Sequence, residues 1–198
     1  MKTIKLLILL TIALFSIQCK SQQLIVNLED HDGSAIVHSY YKDSNNLLTP
    51  FVGIWVFEDG TTYFKLILEK KTMVNAGDHF EDLLIGEYQY KENGVELVNT
   101  LNKLTDTLPN EYHHSIDGNY VNTRHSPFYD FTTDTFWIDL TMSEPNGRSS
   151  SLGLRKTTVN GQSAIQVFKR GNMLVLAPGD PEPAPSVIPN GFYYLLAQ

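Results

Sequence analysis

The run Phe51-Val52-Gly53-Ile54-Trp55-Val56-Phe57 leads into Glu58-Asp59-Gly60, and a second run follows from Thr61 to Lys70. In that second run Thr62, Phe64, Leu66 and Leu68 point one way, and Tyr63, Lys65, Ile67 and Glu69 the other. This two-residue period belongs to a half-buried strand, since successive side chains of extended backbone face opposite sides. Asp-Gly tolerates the positive φ of a tight reversal, so the two runs predict an antiparallel hairpin. A chain built around such a pair has to find partners for both outer strand edges.

The same grammar recurs downstream. Phe80 to Tyr90 and Val95 to Leu101 flank Glu92-Asn93-Gly94, and Asn-Gly is the strongest short hairpin signal. Asp134 to Met142 sets Phe136, Ile138, Leu140 and Met142 against Thr135, Trp137, Asp139 and Thr141. Glu144-Pro145-Asn146-Gly147 turns it into Ser150 to Val159, Asn160-Gly161 turns that into Ser163 to Lys169, and Gly171-Asn172 leads to Met173–Ala177. Gln23 to Leu28 and Ser34 to Tyr41 are predicted as short strands, and Phe192 to Leu196 as the closing one. Two stretches break the rhythm. Asn102 to Thr133 is polar and aromatic without alternation, a length of loop that is uncommon in a compact domain and points to a short helix or a functional loop. Pro178 to Pro189, with five prolines, is predicted as an extended surface crossing. No helical stripe is sustained anywhere, so the expected class is all-β: one antiparallel barrel or sandwich over residues 22–198. A chain of 198 residues with 42% apolar content can fill one such core, and no second domain is expected.

The start is of another kind. Met1 to Lys5 is a short basic region, and Leu6 to Ile17 a twelve-residue apolar segment too short to span a bilayer as a helix. It is expected to be a cleaved export signal, ending in one of two ways. Ser16-Ile17-Gln18-Cys19 resembles a lipobox, giving a leader 1–18 and lipidation at Cys19, although Gln18 is larger than the usual residue there. Cys19-Lys20-Ser21 places small residues for a cut after Ser21, giving a signal peptide 1–21 and a soluble secreted product. Cys19 is the only cysteine, so no disulfide is expected in the mature domain.

Charge excludes one large class of partner. The net charge is −7, and once Lys2, Lys5 and Lys20 leave with the leader the balance is 12 basic against 22 acidic groups. Such a surface repels phosphate backbones, so nucleic-acid binding is not expected. Anionic headgroups are disfavoured likewise, which leaves membrane contact to a lipid anchor.

Catalytic constellations are sparse. Glu111, Tyr112, His113, His114, Asp117 and His125 cluster in the irregular segment. Adjacent histidines of an extended chain diverge, however, and His-x-x-x-His spacing is missing, so solvated loop residues are the preferred reading and no metal or other cofactor is expected. Asp30-x-Asp32-Gly33 opens like a calcium loop but has Tyr41 where the bidentate acid belongs. Ser149-Ser150-Ser151 lacks the flanking glycine pattern of a nucleophile elbow. Glu87 and Asp139 lie on strands, where solvated acids are the simpler reading than a glycosidase pair.

Gly53-x-Trp55 on an early strand resembles the lipocalin superfamily, and that resemblance implies a barrel with a basic side chain over the indole, Arg155 or Arg170. A wider resemblance runs through Tyr40-Tyr41-Lys42-Asp43, Phe51-Val52-Gly53-Ile54-Trp55, Leu66-x-Leu68-x-Lys70-Lys71 and Gly86-Glu87-Tyr88-Gln89-Tyr90-x-Glu92-Asn93-Gly94-Val95. Those motifs are similar to an uncharacterised family of exported bacterial proteins with a domain of unknown function. The resemblance implies export and one β domain, and carries no catalytic residue.

The function expected is therefore a non-catalytic binding or interaction module, monomeric, for a small apolar ligand or a protein partner. An eight-stranded barrel can hold a small ligand, and Trp55, Phe64, Leu66, Phe136 and Ile138 are the expected lining. Trp137, opposite Phe136 and Ile138 on its strand, is expected in the core, on an exposed aromatic surface or as cavity lining. The alternative function is a secreted hydrolase of envelope or environmental polymers.

Overall fold

The computed structural model describes residues 23–31, 34–123, 128, 136–171 and 184–198. Cys19, Asp32, His125, Met173–Ala177 and the crossing up to Pro183 lie outside them. The expected hairpin is present as β3 (Gly53–Glu58) and β4 (Thr62–Asn75). Its turn is held by Asp59, whose carboxylate accepts the amides of Thr61 at 3.1 Å and Thr62 at 2.8 Å, while Gly60 takes φ +88°. β5 (Phe80–Glu92) returns along β4, and Asn93-Gly94, both at positive φ, turns it into β6 (Val95–Asn99). After the irregular stretch come β7 (Ile116–Asn122), β8 (Trp137–Ser143), β9 (Ser149–Val159), β10 (Gln162–Gly171) and β11 (Gly191–Ala197).

Each strand pairs antiparallel with the next around a ring β3, β4, β5, β7, β8, β9, β10, β11 and back to β3. The chain is thus a closed eight-stranded antiparallel barrel, which resolves the choice between barrel and sandwich. β7, which the sequence pattern does not announce, makes the closure: Leu84, Ile85 and Gly86 of β5 pair with Gly118, Asp117 and Ile116. Two elements stand outside the ring. β6 extends one end of β5 as a side hairpin. At the other end β1 (Ile25–Asn27) pairs with β2 (Tyr40–Lys42), and β2 with β5, both in parallel. The described residues contain no α-helix, only short 3-10 turns.

The interior takes every second side chain. Phe64, Leu66, Leu84, Tyr88, Ile138, Leu152, Leu154, Ile165, Val167 and Leu195 are all completely buried. Leu28, Leu48, Phe51 and Ile188, from segments between strands, belong to the same core. Packing leaves no slack where β5 crosses β4: a Cβ on Gly86 would come within 2.6 Å of the Ile67 carbonyl oxygen and of a Leu68 methyl.

Candidate functional site

β5 reads Glu81-Asp82-Leu83-Leu84-Ile85-Gly86-Glu87-Tyr88, and every one of these residues is buried. Even-numbered side chains enter the barrel, so Glu81, Leu83, Ile85 and Glu87 face outward and need a cover. The segment 101–115 supplies it. Tyr112 rests on Val74, Leu83 and Ile85, and its hydroxyl donates to Glu81 at 2.6 Å. Burial and that carboxylate push the Tyr112 hydroxyl far above its usual pKa. Glu87 is wholly buried: one oxygen accepts the Ser115 amide at 3.0 Å and lies 3.0 Å from His114 Nδ1, while Oε2 has no hydrogen-bond partner. His114 Nε2 faces Glu111 at 3.5 Å, and Lys103 donates to Ser115 at 3.1 Å.

Between this flap and β4 runs an open groove of about 670 Å³, with Lys71, Met73, Leu104, Leu108, Glu111 and His114 among its walls. The β4 side is shaped by a bulge between Lys71 and Val74, where Met73 stands at φ +56° and its amide is held by Asp82 at 3.0 Å. A non-glycine residue at positive φ is uncommon and is kept there by such a fixed partner. A bulge at the Lys71–Val74 edge also blunts it against indiscriminate strand pairing.

Asp117, beside Ile85 in register, completes the acidic surroundings. Burial first, and the Glu81 carboxylate second, push its carboxyl up to about 6, against the opposing pull of His114. The folded protein therefore keeps a proton that the unfolded chain has shed between its ordinary carboxyl range and about pH 6. Stability falls as pH rises through that window, and the full penalty stands above it. Asp117→Asn should stabilise the protein at neutral pH by about 1 kcal/mol, allowing for the partial solvent screening of a half-buried group. Urea unfolding at pH 7.5 and pH 4 checks this; the gain should vanish at the lower pH.

The expected cavity lining does meet, but as solid core. Phe64, Leu66 and Ile138 are inaccessible to water, Trp55 is 4% exposed, and Phe136 packs against the same cluster. Side chains that a water-sized sphere cannot touch border no ligand-sized void, so Phe64, Leu66 and Ile138 act as packing, whereas Phe136 keeps part of its surface exposed. Trp55 donates its indole N–H to the Phe51 carbonyl at 2.7 Å. The cation over its ring is Lys156 at 4.2 Å, rather than Arg155 or Arg170, because alternation along β9 turns Lys156 inward. Arg155 instead bonds Gln166 and lies over Phe128 outside the barrel, and Arg170 is exposed. Trp137 is also outside, edge-on to Phe128 at 6.4 Å.

The remaining candidates scatter. His113 is exposed and turned to Asn110, and Asp139 accepts the Ser151 hydroxyl at 2.6 Å in a separate small hollow. Glu87 departs from the solvated-acid expectation, since the flap covers it completely. The signal available for it was Leu83-Leu84-Ile85, three successive apolar residues that require burial on both faces. Among the described residues no three His, Cys, Asp or Glu side chains group to hold a metal. None of the described helical turns is long and apolar enough to cross a membrane.

No curated protein and no solved structure matches the chain. The lipocalin likeness accordingly remains one of a barrel and of Gly53-x-Trp55. A family model described as a family of unknown function (DUF6705) matches residues 1–149, and with most of its length covered the chain belongs to that family.

Proposed function

We propose that this protein is an exported, non-catalytic binding module that receives an extended polar segment of a protein partner in the groove between β4 and the 101–115 flap. The observation that carries this reading is an open, mixed-charge groove outside a barrel whose described interior side chains, Phe64, Leu66 and Ile138 among them, are inaccessible to water. Lys71 on one wall faces a flap that bears Asp106 and Glu111, a pattern that suits a chain with charges of both signs. Leu104 and Leu108 add apolar contact. The histidine of the groove's lining is His114. It is 7% exposed, and each ring nitrogen faces a carboxylate, so it is poorly placed to reach a substrate.

Photo-crosslinking in native cells tests the proposal. A benzophenone side chain at Leu104 or Leu108 should capture a discrete protein, and one at Val95, at the far end of β5, should not. Lys71→Glu should weaken the capture. Equal adducts from all three positions would remove the groove from consideration. The hydrolase is the second reading, favoured by the Glu87–His114 pair alone. It would take over if hydrolysis of an envelope polymer were found and His114→Ala abolished it.

Export rests on the basic and apolar leader, with the mature chain beginning at Cys19 as an acylated lipoprotein or at Gln22 as a soluble protein.

A further inference from the structure

The chain enters its described part at Gln23 through an unusually apolar corner. Leu24, just before the outermost strand of the sheet, is 52% exposed, and Ile25, its first residue, 59%. Ile36 is 49% exposed and Val37 58%, in the turn that leads to β2. A backbone bond joins these two segments at the edge of the sheet, where neighbouring side chains leave on opposite faces and both faces reach the rim. The Leu24 carbonyl accepts the Tyr40 amide at 2.8 Å, and the Ile36 carbonyl accepts the Ser39 amide at 3.1 Å. The Gln23 side chain reaches the Ser39 carbonyl.

We propose that this corner lies against a lipid bilayer and orients the barrel on it, an inference that rests on the acylated-Cys19 form of the reading above. The occupant is chosen by where the remaining chain leads. Cys19 and Leu24 are only five positions apart, a reach of at most about 17 Å. An acyl chain on Cys19 would therefore hold these four aliphatic side chains at the headgroup boundary. Half-exposed Leu, Ile and Val side chains bind an interface too weakly to recruit a protein from solution. On a tethered protein the high effective concentration makes the same contacts sufficient to choose an orientation. Asp78 adjoins the turn, since its backbone carbonyl accepts the His38 amide, and its carboxylate pairs with His79 Nδ1 at 2.7 Å. Beyond Lys20 the chain carries 12 basic against 22 acidic groups, so this corner suits zwitterionic lipid and is opposed by anionic lipid.

The test uses the membrane-extracted protein, its mass measured first. Acylation makes Cys19 a thioether, so Ile36→Cys presents one thiol for a fluorophore. Leu97→Cys serves as the control, because β6 lies about 30 Å away along β5. In phosphatidylcholine vesicles the label at 36 should be several-fold less quenched by iodide than the label at 97, and more quenched by a lipid-borne nitroxide. Ile25→Glu combined with Val37→Glu should erase the difference, and added phosphatidylglycerol should reduce it. An acyl mass with equal quenching at both positions would overturn the inference alone. Shielding from iodide without nitroxide quenching, and rising with protein density, would assign the corner to a second copy instead. A mass that begins at Gln22 would overturn the anchor and the inference together.

Discussion

Trp55→Ala is expected to lower unfolding stability by about 3–5 kcal/mol, the range for removing a large buried aromatic. Three separate contacts vanish with the indole. Its rings are nearly wholly buried in the main core, its N–H closes a 2.7 Å bond to the Phe51 carbonyl, and its face carries the Lys156 ammonium at 4.2 Å. Burial already depresses the Lys156 pKa. Loss of the ring would therefore leave a partly buried cation without its π partner. Trp55→Phe should recover much of the packing but leave the Phe51 carbonyl without its donor. Guanidinium unfolding followed by far-UV circular dichroism measures both variants; a loss below about 1 kcal/mol for the alanine variant would mean the site repacks freely.

The second large effect is expected at Lys169, which has no solvent exposure although it is a lysine. On β10 it continues the inward series Ile165 and Val167, so alternation carries its stem into the barrel. Its ammonium meets Glu144 at 3.2 Å and donates to the Ser186 hydroxyl at 2.7 Å. Glu144 also accepts the Val187 amide at 2.6 Å, which ties the segment before β11 to the end of β8. Desolvation pushes the Lys169 pKa down against the pull of Glu144. A buried pair of this kind adds little net stability, but removing one partner strands the other charge at a cost of about 3–5 kcal/mol. Lys169→Ala should show that loss. Lys169→Met combined with Glu144→Gln should recover a large part of it, because no charge is then left alone. Thermal unfolding of the single and double variants gives the coupling; strict additivity would mean the two groups do not depend on each other.

The flap shows how far local pattern reaches towards a site. Glu111, His114 and Asp117 were legible as a cluster of polar, chemically capable residues. Their partners were not, because Glu81 and Glu87 lie 27 to 36 positions earlier, on a strand whose outer face is covered only once β7 pairs beside it. Asn110 caps the last turn of the flap by accepting the Tyr112 amide, and this local bond sets up the rest. From there Tyr112 swings onto Val74, Leu83 and Ile85.

What the sequence alone determined about this chain is its class and most of its strands. Alternation and the turns at Asp59-Gly60, Asn93-Gly94 and Asn160-Gly161 are properties of neighbouring residues, and backbone sterics act on neighbours. Only the tertiary structure decided the rest. β7 escapes local reading because its alternation breaks at a bulge between Asp117 and Tyr120, with Gly118 at φ +139°. Without that strand the pattern fits a sandwich as well as a barrel. Ring closure also fixes how far each strand is staggered, and stagger decides which cation reaches Trp55 and how completely opposing side chains fill the interior. The close packing of the described interior side chains, and a groove on the outside, are consequences of pairings between residues distant in the chain, which no local pattern encodes.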